Sequence, residues 1–306
     1  PNIQENLERL AGSKIFTALD AAQAYMTIRV NEKSKPLLAF VTPFGTYSFR
    51  RMPFGARNSG NTYSRFVEIL VNELRSPFVV MYIDDIIGHT PSLDEHLEVF
   101  EKLLKMHADA GIKLRGHKTK IFRDEVEYLG HLVNKDGTRM RDAFIQKVVD
   151  WPTPETTKQL STFLGFTGYY RNYIQDYSYL TNEMNAQKKN EKLDWTEVMQ
   201  KKFEALKECF KKKPIRSYPR YDLPDKFILT TDYSKDNLGA ILSQVQEGEE
   251  KMISATGRKT TSFEKNYASH KDELAAIIYG LKQFEHILRY RPFTVRTDSG
   301  ALKHLH

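Results

Sequence analysis

A chain of 306 residues with 40% hydrophobic content has room for two domains at the usual ~150 residues each and for real cores. Its net charge of +7 and pI near 9.2 leave a surface that favours polyanions, while a single cysteine, Cys209, excludes both an internal disulfide framework and a cysteine-based zinc cluster and fits a reducing compartment. No apolar run approaches the ~20 residues of a membrane span and no signal-like segment opens the chain; a start at Pro1 reads as a piece of something longer.

Residues 6–10 look like the end of a short helix closed by Gly12, and Ile15 to Leu19 rise as a strand ending at Asp20. A strand pair is expected at 25–30 and 37–42. Residues 61–74 carry Phe66, Ile69, Leu70 and Leu74 at helical spacing. They run into apolar 78–81, then Tyr82-Ile83-Asp84-Asp85, then Ile86-Ile87, which reads as a β-hairpin with two carboxylates at its turn. Neighbouring side chains in extended backbone point to opposite faces, so both aspartates cannot be buried anchors. Like charges side by side also repel unless a metal or a base offsets them, and hard oxygen ligands suit Mg²⁺. Taken alone, the tetrapeptide fits a polar hairpin turn equally well.

Ser92 to Glu95 fits a capping box before a helix with Leu97, Phe100, Leu103 and Leu104 as its apolar face and Gly111 as its close. Strands are expected at 112–114 and 126–133. Composition changes after Gly137: Thr153-Pro154 is a helix start, and Leu160, Phe163, Leu164, Thr167 and 170–177 continue an aromatic-rich helical pattern. Residues 188–216 hold ten Lys or Arg against five Asp or Glu. Such a stretch is a solvated helix face in the ordinary case and a nucleic-acid contact in the sharper one. Strands follow at 227–232, 238–244 and 251–255, then a helix over 273–288 and a strand over 293–298. The expected domains are 1–138, 139–187 (helical), 188–225 (a basic connecting segment) and 226–306.

Asp20 closes a strand that can lie beside the acidic hairpin, so Asp20, Asp84 and Asp85 form a candidate divalent-metal site able to activate a 3′-hydroxyl and hold a triphosphate. Met52-Pro53-Phe54-Gly55 is a loop before a helix, where glycine permits close backbone approach to a ligand; an ordinary turn accounts for it as well. A second acidic set comprises Asp232, Glu273 and Asp298, with Asp272 pointing elsewhere on its helix. Two Mg²⁺ ions held there could polarise a phosphodiester and its attacking water.

Phe16-Thr17-Ala18-Leu19-Asp20, Tyr25, Met52-Pro53-Phe54-Gly55, Asn58, Tyr82-Ile83-Asp84-Asp85, Ala110-Gly111-Ile112-Lys113-Leu114 with Lys118, and Tyr128-Leu129-Gly130-His131 occur in order. Together they resemble the motifs of the reverse transcriptase of gypsy-type (Metaviridae) long-terminal-repeat retrotransposons. Leu160, Phe163-Leu164-Gly165 and Tyr169-Tyr170-Arg171 resemble the thumb. Ser254 to Lys259, Glu264, Tyr267 and Glu273-Leu274, with Asp232 and Asp298, resemble the ribonuclease H fused to it. The resemblance implies a multidomain α/β (α+β) protein: palm with partial fingers, α-helical thumb and a ribonuclease H-like domain truncated at its C-terminus. It implies RNA- and DNA-directed DNA synthesis with cleavage of RNA in RNA–DNA hybrids, two Mg²⁺ per active site (Mn²⁺ as an alternative), an RNA template, a DNA primer and dNTPs. It also implies a larger polyprotein with protease and integrase, in a cytoplasmic virus-like particle, with no membrane partner.

By the same resemblance Asp20 and Asp84 would bind the polymerase metals with Asp85 alongside, and Tyr25 would be the steric gate beneath the sugar. Ala21, Ala22, Gln23 and Ala24 would line the triphosphate, Phe54 and Gly55 would contact the incoming nucleotide, Lys118 would donate a proton to pyrophosphate, and Tyr128, Leu129, Gly130 and His131 would form the primer grip. Asp232, Glu273 and Asp298 would hold the nuclease metals. Departures are visible. Family members have finger strands before the position of Pro1 and a fourth nuclease ligand after Asp298. They carry Asn-Ala-Pro where this chain reads Asn58-Ser59-Gly60, and histidine where it has Ser299. A degenerate or co-opted nucleic-acid-binding fragment without turnover is the competing reading, and retention of the nuclease activity alone is a third.

Overall fold

The sheet that carries the acidic hairpin has central strands buried on both faces and an exposed edge. The computed structural model describes residues 3–223, 226–262, 264 and 269–297, and the chain folds as two units, Pro1–Asp136 and Gly137–His306. In the first, α1 (Ile3–Glu8) precedes β1 (Ile15–Asp20), where Phe16 and Thr17, on opposite faces, are both fully buried. Strands β2 (Ala39–Thr42) and β3 (Gly45–Ser48) pair with each other as a separate, exposed hairpin. Then come α2 (Ser59–Glu73), β4 (Val79–Tyr82), β5 (Asp85–Thr90), α3 (Leu93–Asp109), β6 (Lys120–Arg123) and the hairpin of β7 (Glu125–Tyr128) with β8 (His131–Asn134). The main sheet has the order β4-β5-β1-β6, all antiparallel.

Tyr63 and Val67 of α2 and Val99, Leu103 and Met106 of α3 pack onto Leu19, Val79, Met81 and Ile86 of the strands. Gly88 permits the close approach of α3: a Cβ there would lie 2.9 Å from Leu103 Cδ1 and 3.3 Å from Val99 Cγ1. The expected apolar stripe of α3 is displaced around the helix, leaving Leu97 and Leu104 exposed while His96 and His107 are buried. His96 fills a core position because both ring nitrogens are satisfied, Nε2 by Thr17 Oγ1 and Nδ1 by Thr90 Oγ1, each at 2.8 Å. His89 Nδ1 meets Ser13 Oγ at 2.8 Å. Burial, then the charge of Arg9 and the neighbouring His96, push the His89 imidazole down from 6.5 to about 3.

Three strand expectations need correction. The stretch 126–133 is not one strand but the β7–β8 hairpin, turning at Leu129-Gly130. Residues 25–30 form no strand: Gln23 adopts φ 51 and starts a 3₁₀ turn, Ala24–Thr27, from which Tyr25 packs its ring on Phe54, only Arg29 makes a bridge, to Arg51, and the real partner of β2 is β3. Residues 112–114 contribute only a bridge, Leu114 to Ala21; the edge strand is β6, whose mostly exposed side chains gave no apolar pattern.

The second unit begins with β9 (Gly137–Met140), α4 (Asp142–Val149), α5 (Thr157–Gly168), α6 (Tyr177–Gln187), α7 (Glu197–Lys211) and β10 (Ile215–Arg216), which pairs with β9. Helix α5 starts later than Thr153-Pro154, because Thr156 and Gln159 close a reciprocal capping box. The stretch expected to be a basic connector contains α7, whose Met199, Phe203, Leu206 and Phe210 share one core with Phe144, Leu160, Phe163 and Met184. Its Lys202 is turned inward, donating to Tyr179 O, Asn182 Oδ1 and Glu183 Oε2 at 2.9, 3.0 and 2.7 Å. Next come β11 (Phe227–Tyr233), β12 (Asn237–Gln246), β13 (Glu249–Lys259), α8 (Ser269–Gln283), α9 (Glu285–Leu288) and β14 (Phe293–Arg296). Their sheet runs β13-β12-β11-β14 with β14 parallel to β11, and α8 lies close enough that a Cβ on Gly280 would be 3.0 Å from Ala240 Cβ. Tyr267 and Asp298 lie outside the described residues.

Gly88→Ala must push Leu103 off the sheet and is expected to cost about 1–3 kcal/mol, seen as a lower urea midpoint; an unchanged midpoint would mean that α3 stands off β5. Since the unfolded chain takes up a proton between pH 6.5 and about 3 that folded His89 refuses, stability is complete above pH 6.5 and declines as pH falls through that window. Urea titrations across it should show the slope, and His89→Gln should lessen it without abolishing it, since burial pushes the His96 and His107 imidazoles down as well.

Candidate active site

Antiparallel pairing of β1 with β5 sets Asp20 directly opposite Asp85. The turn from β4 to β5 consists of Ile83 and Asp84, flanked by the Tyr82–Asp85 pair, so the third carboxylate arrives at the same end of the sheet. Ile83 sits at φ 57, a left-handed conformation in which a β-branched side chain is strained, and hairpins use such residues to reverse tightly. Asp20, Asp84 and Asp85 line one cavity of about 210 Å³ together with Ala21, Ala24, Tyr25, Phe54 and Arg115.

The electrostatics of this cavity are those of excess negative charge. Burial, then Asp84, Asp20 and Glu127, raise the Asp85 carboxyl above its ordinary range. Burial followed by the Asp84 charge pushes the Tyr63 phenol up to about 12. Asp20 Oδ1 is buried without a hydrogen-bond partner, and Arg115 Nη1 approaches it at 3.4 Å, which supplies charge but no hydrogen bond. Among the described residues no group of three His, Cys, Asp or Glu side chains is gathered tightly enough to chelate an ion as it stands. The fit to a hard cation rests on the orphaned oxygen of Asp20 and on acceptor-only carboxylates converging on one small space.

The floor is aromatic. Tyr25 lies 5.3 Å from Phe54 and 5.7 Å from Tyr63, centroid to centroid. Ser59 Oγ donates to Pro53 O at 3.0 Å, tying the start of α2 to the Met52–Gly55 loop, where Gly55 has φ 86. Gly60 lies under the gate position: a Cβ there would sit 3.6 Å from Tyr25 Oη. The Ala22 amide donates to Lys113 O at 2.6 Å and is committed to the fold, whereas Ala21 and Ala24 reach the cavity. Lys118 is exposed and does not line the cavity.

At the expected primer grip, Tyr128 and His131 are buried, and the half-buried turn residues Leu129 and Gly130 both have positive φ, 50 and 78, as a two-residue hairpin turn requires. Tyr128 Oη accepts from Asn6 Nδ2 at 3.2 Å, and the same amide group donates to Met81 O at 2.8 Å. Burial is the main cause of the raised Tyr128 phenol, and Asp85 adds to it, so this hairpin lies close to the carboxylates.

Of the second acidic set, Asp232 lies on β11 one residue from its end, exposed at a cavity of about 230 Å³ that Asp176 also lines. Glu273 is buried on α8 and accepts from Thr297 Oγ1 at 3.1 Å. Asp298 lies outside the described residues. Sequence reasoning missed Arg115 and Asp176. Arg115 directly follows the Ile112-Lys113-Leu114 run that meets the end of β1, a placement that could have drawn attention to it; Asp176 carried no signal.

Residues 1–133 match the family described as reverse transcriptase (RNA-dependent DNA polymerase), and residues 195–295 match the RNase H-like domain found in reverse transcriptase. The chain belongs to the reverse transcriptase family. Over 308 residues this reverse transcriptase region is 36% identical to the retrovirus-related Pol polyprotein from transposon 297 of Drosophila melanogaster, covering 100% of this chain and 28% of that protein. It is 30% identical over 306 residues to the transposon Tf2-3 polyprotein of Schizosaccharomyces pombe, covering 99% and 23%. The chain thus spans about a quarter of the length of these relatives. Its fold is shared with the foamy viral protease-reverse transcriptase in complex with double-stranded DNA (TM-score 0.84, 20% identity, 98% of this chain and 63% of that one). The same viral protein in complex with an RNA/DNA hybrid gives a TM-score of 0.79 at 20% identity, covering 97% and 40%.

Replacing Asp85 by Asn removes one of the mutually repelling carboxylates. Asp85→Asn is expected to raise the melting temperature at pH 8, a gain in stability of less than about 1 kcal/mol because the side chain is only partly shielded from water, and the gain should vanish in acid as the wild-type carboxyl protonates. A lower melting temperature at pH 8 would show that attraction, not repulsion, dominates at this position.

Proposed function

We propose that the first unit is the polymerase domain of a retrotransposon Pol protein, adding nucleotides from dNTPs to the 3′-hydroxyl of a DNA primer on RNA and DNA templates. The observation that carries this reading is the convergence of Asp20, Asp84 and Asp85 on one cavity floored by Tyr25 and Phe54. Asp20 and Asp84 are the residues that would hold two Mg²⁺, or Mn²⁺, with Asp85 as the weaker contributor. When bound, the ions make the primer hydroxyl easier to deprotonate and neutralise charge on the triphosphate. Tyr25, braced by Phe54 and Tyr63, would pack under the sugar and exclude a 2′-hydroxyl. Ala21 and Ala24 line the triphosphate side, and the Leu129-Gly130 turn is the part of the grip that meets the primer. Lys118, outside the cavity, is assigned no step.

Residues 139–187 would serve as thumb, 188–225 as the segment leading out of it, and 226–306 as a ribonuclease H acting on RNA–DNA hybrids through Asp232, Glu273 and Asp298. The context is a polyprotein with protease and integrase, acting in a cytoplasmic particle.

Primer extension by the full Pol product tests this reading. Mg²⁺-dependent dNTP incorporation is expected to fall to background in Asp84→Asn and in Asp20→Asn, while Glu273→Gln should abolish hybrid cleavage and spare extension. Incorporation unchanged in Asp84→Asn would sink the assignment in favour of a nucleic-acid-binding protein without turnover.

A further inference from the structure

Arg115 is the one cation lining the carboxylate cavity among its described residues, and no motif accounts for it. Its position is fixed through the backbone: Arg115 N donates to Asp20 O at 2.9 Å, and Arg115 O accepts from Thr119 N and Lys118 N at 2.8 and 3.1 Å. The guanidinium is anchored much less firmly. Nη1 stands 3.4 Å from Asp20 Oδ1, both side chains are about one-third exposed, and that carboxylate oxygen, though buried, has no hydrogen-bond partner. A paired arginine and carboxylate normally form short, often bidentate hydrogen bonds. Here the arginine offsets charge while leaving the lone pairs of Oδ1 open.

An open lone pair on a hard oxygen, beside a cation that is not hydrogen-bonded to it, is what a displaceable counter-ion leaves behind. Three carboxylates in one small cavity repel one another. A positive side chain tethered by its own backbone to Asp20 lowers the repulsion at little entropic cost. A divalent cation entering the cavity brings more charge and direct coordination of the open oxygen, and a long side chain at the rim can then swing into water.

We propose that Arg115 is an exchangeable counter-ion of the polymerase centre: it balances Asp20 while the cavity holds no cation, and an entering divalent cation takes its place. This rests on the metal-binding reading of Asp20 and Asp84. The inference gives Arg115 a positioning role, setting how tightly the centre holds its ion.

Mn²⁺ binding to the chain as it stands, followed by the electron paramagnetic resonance signal of free Mn²⁺, tests the proposal without any turnover. Asp84→Asn identifies the share of bound Mn²⁺ that belongs to this cavity. Arg115→Gln, which removes the charge and keeps a polar end on a shorter side chain, is expected to bind that share about two- to fivefold more tightly, the scale of exposed ion pairs. Arg115→Lys should bind as the wild type does. Affinity unchanged or weakened in Arg115→Gln, or equally tightened in Arg115→Lys, overturns the counter-ion role while leaving the metal reading intact. Binding that is indifferent to both Asp84→Asn and Asp20→Asn overturns the metal reading and the counter-ion with it.

Discussion

Two like charges face each other across adjacent strands, and much of the first unit is arranged around that repulsion. Opposed carboxylates in a ladder are destabilising, so Asp20 and Asp85 are not held by attraction. They are held by register: Leu19 faces Ile86, Ala18 faces Ile87 and Phe16 faces His89 along the same ladder. A slip of one residue would part each of these pairs and swap every side chain of the strand to the opposite face. The buried pairs fix the strands, and the strands bring the carboxylates together. The open oxygen of Asp20 and the arginine beside it lie at this imposed meeting point, where burial and then the neighbouring charges raise the Asp85 carboxyl.

Register and chemistry were legible in the sequence to different degrees. The acidic pair between apolar runs announced the hairpin, and the strand ending at Asp20 announced its partner, because apolar β-rich runs bounded by polar residues are strong signals. The 3₁₀ turn at Ala24–Thr27 was not legible, since Tyr25, Met26 and Ile28 look like strand residues and only the tertiary contact of Tyr25 with Phe54 and Tyr63 decides otherwise. Arg115 was missed for a related reason: its proximity to Asp20 depends on a crossing segment that makes a single bridge, Ala21 to Leu114, and such a bridge has no periodicity.

In the second unit the charge of residues 188–216 misled. Lysine-rich composition suggested a solvated connector, yet α7 is amphipathic, with Phe203 and Phe210 in the helical core and Lys202 satisfied by three internal acceptors. A long aliphatic stem lets lysine cover apolar surface while its ammonium finds polar partners. The ribonuclease H-like strands were easier to read because each carries a long β-rich run, and the parallel pairing of β11 with β14 follows from the helices between them.

Asn6 looks minor beside the aspartates, yet one amide group on α1 holds the carbonyl of Met81 and the hydroxyl of Tyr128 at once. Met81 belongs to the hairpin of Asp84 and Tyr128 to the hairpin that ends in the Leu129-Gly130 turn. The distance between the Leu129-Gly130 turn and the carboxylates is therefore set partly by a residue far upstream of both. A chain begun at Gly12 would keep Asp20, Asp84, Asp85 and both hairpins, and would still lose the rivet that fixes one against the other.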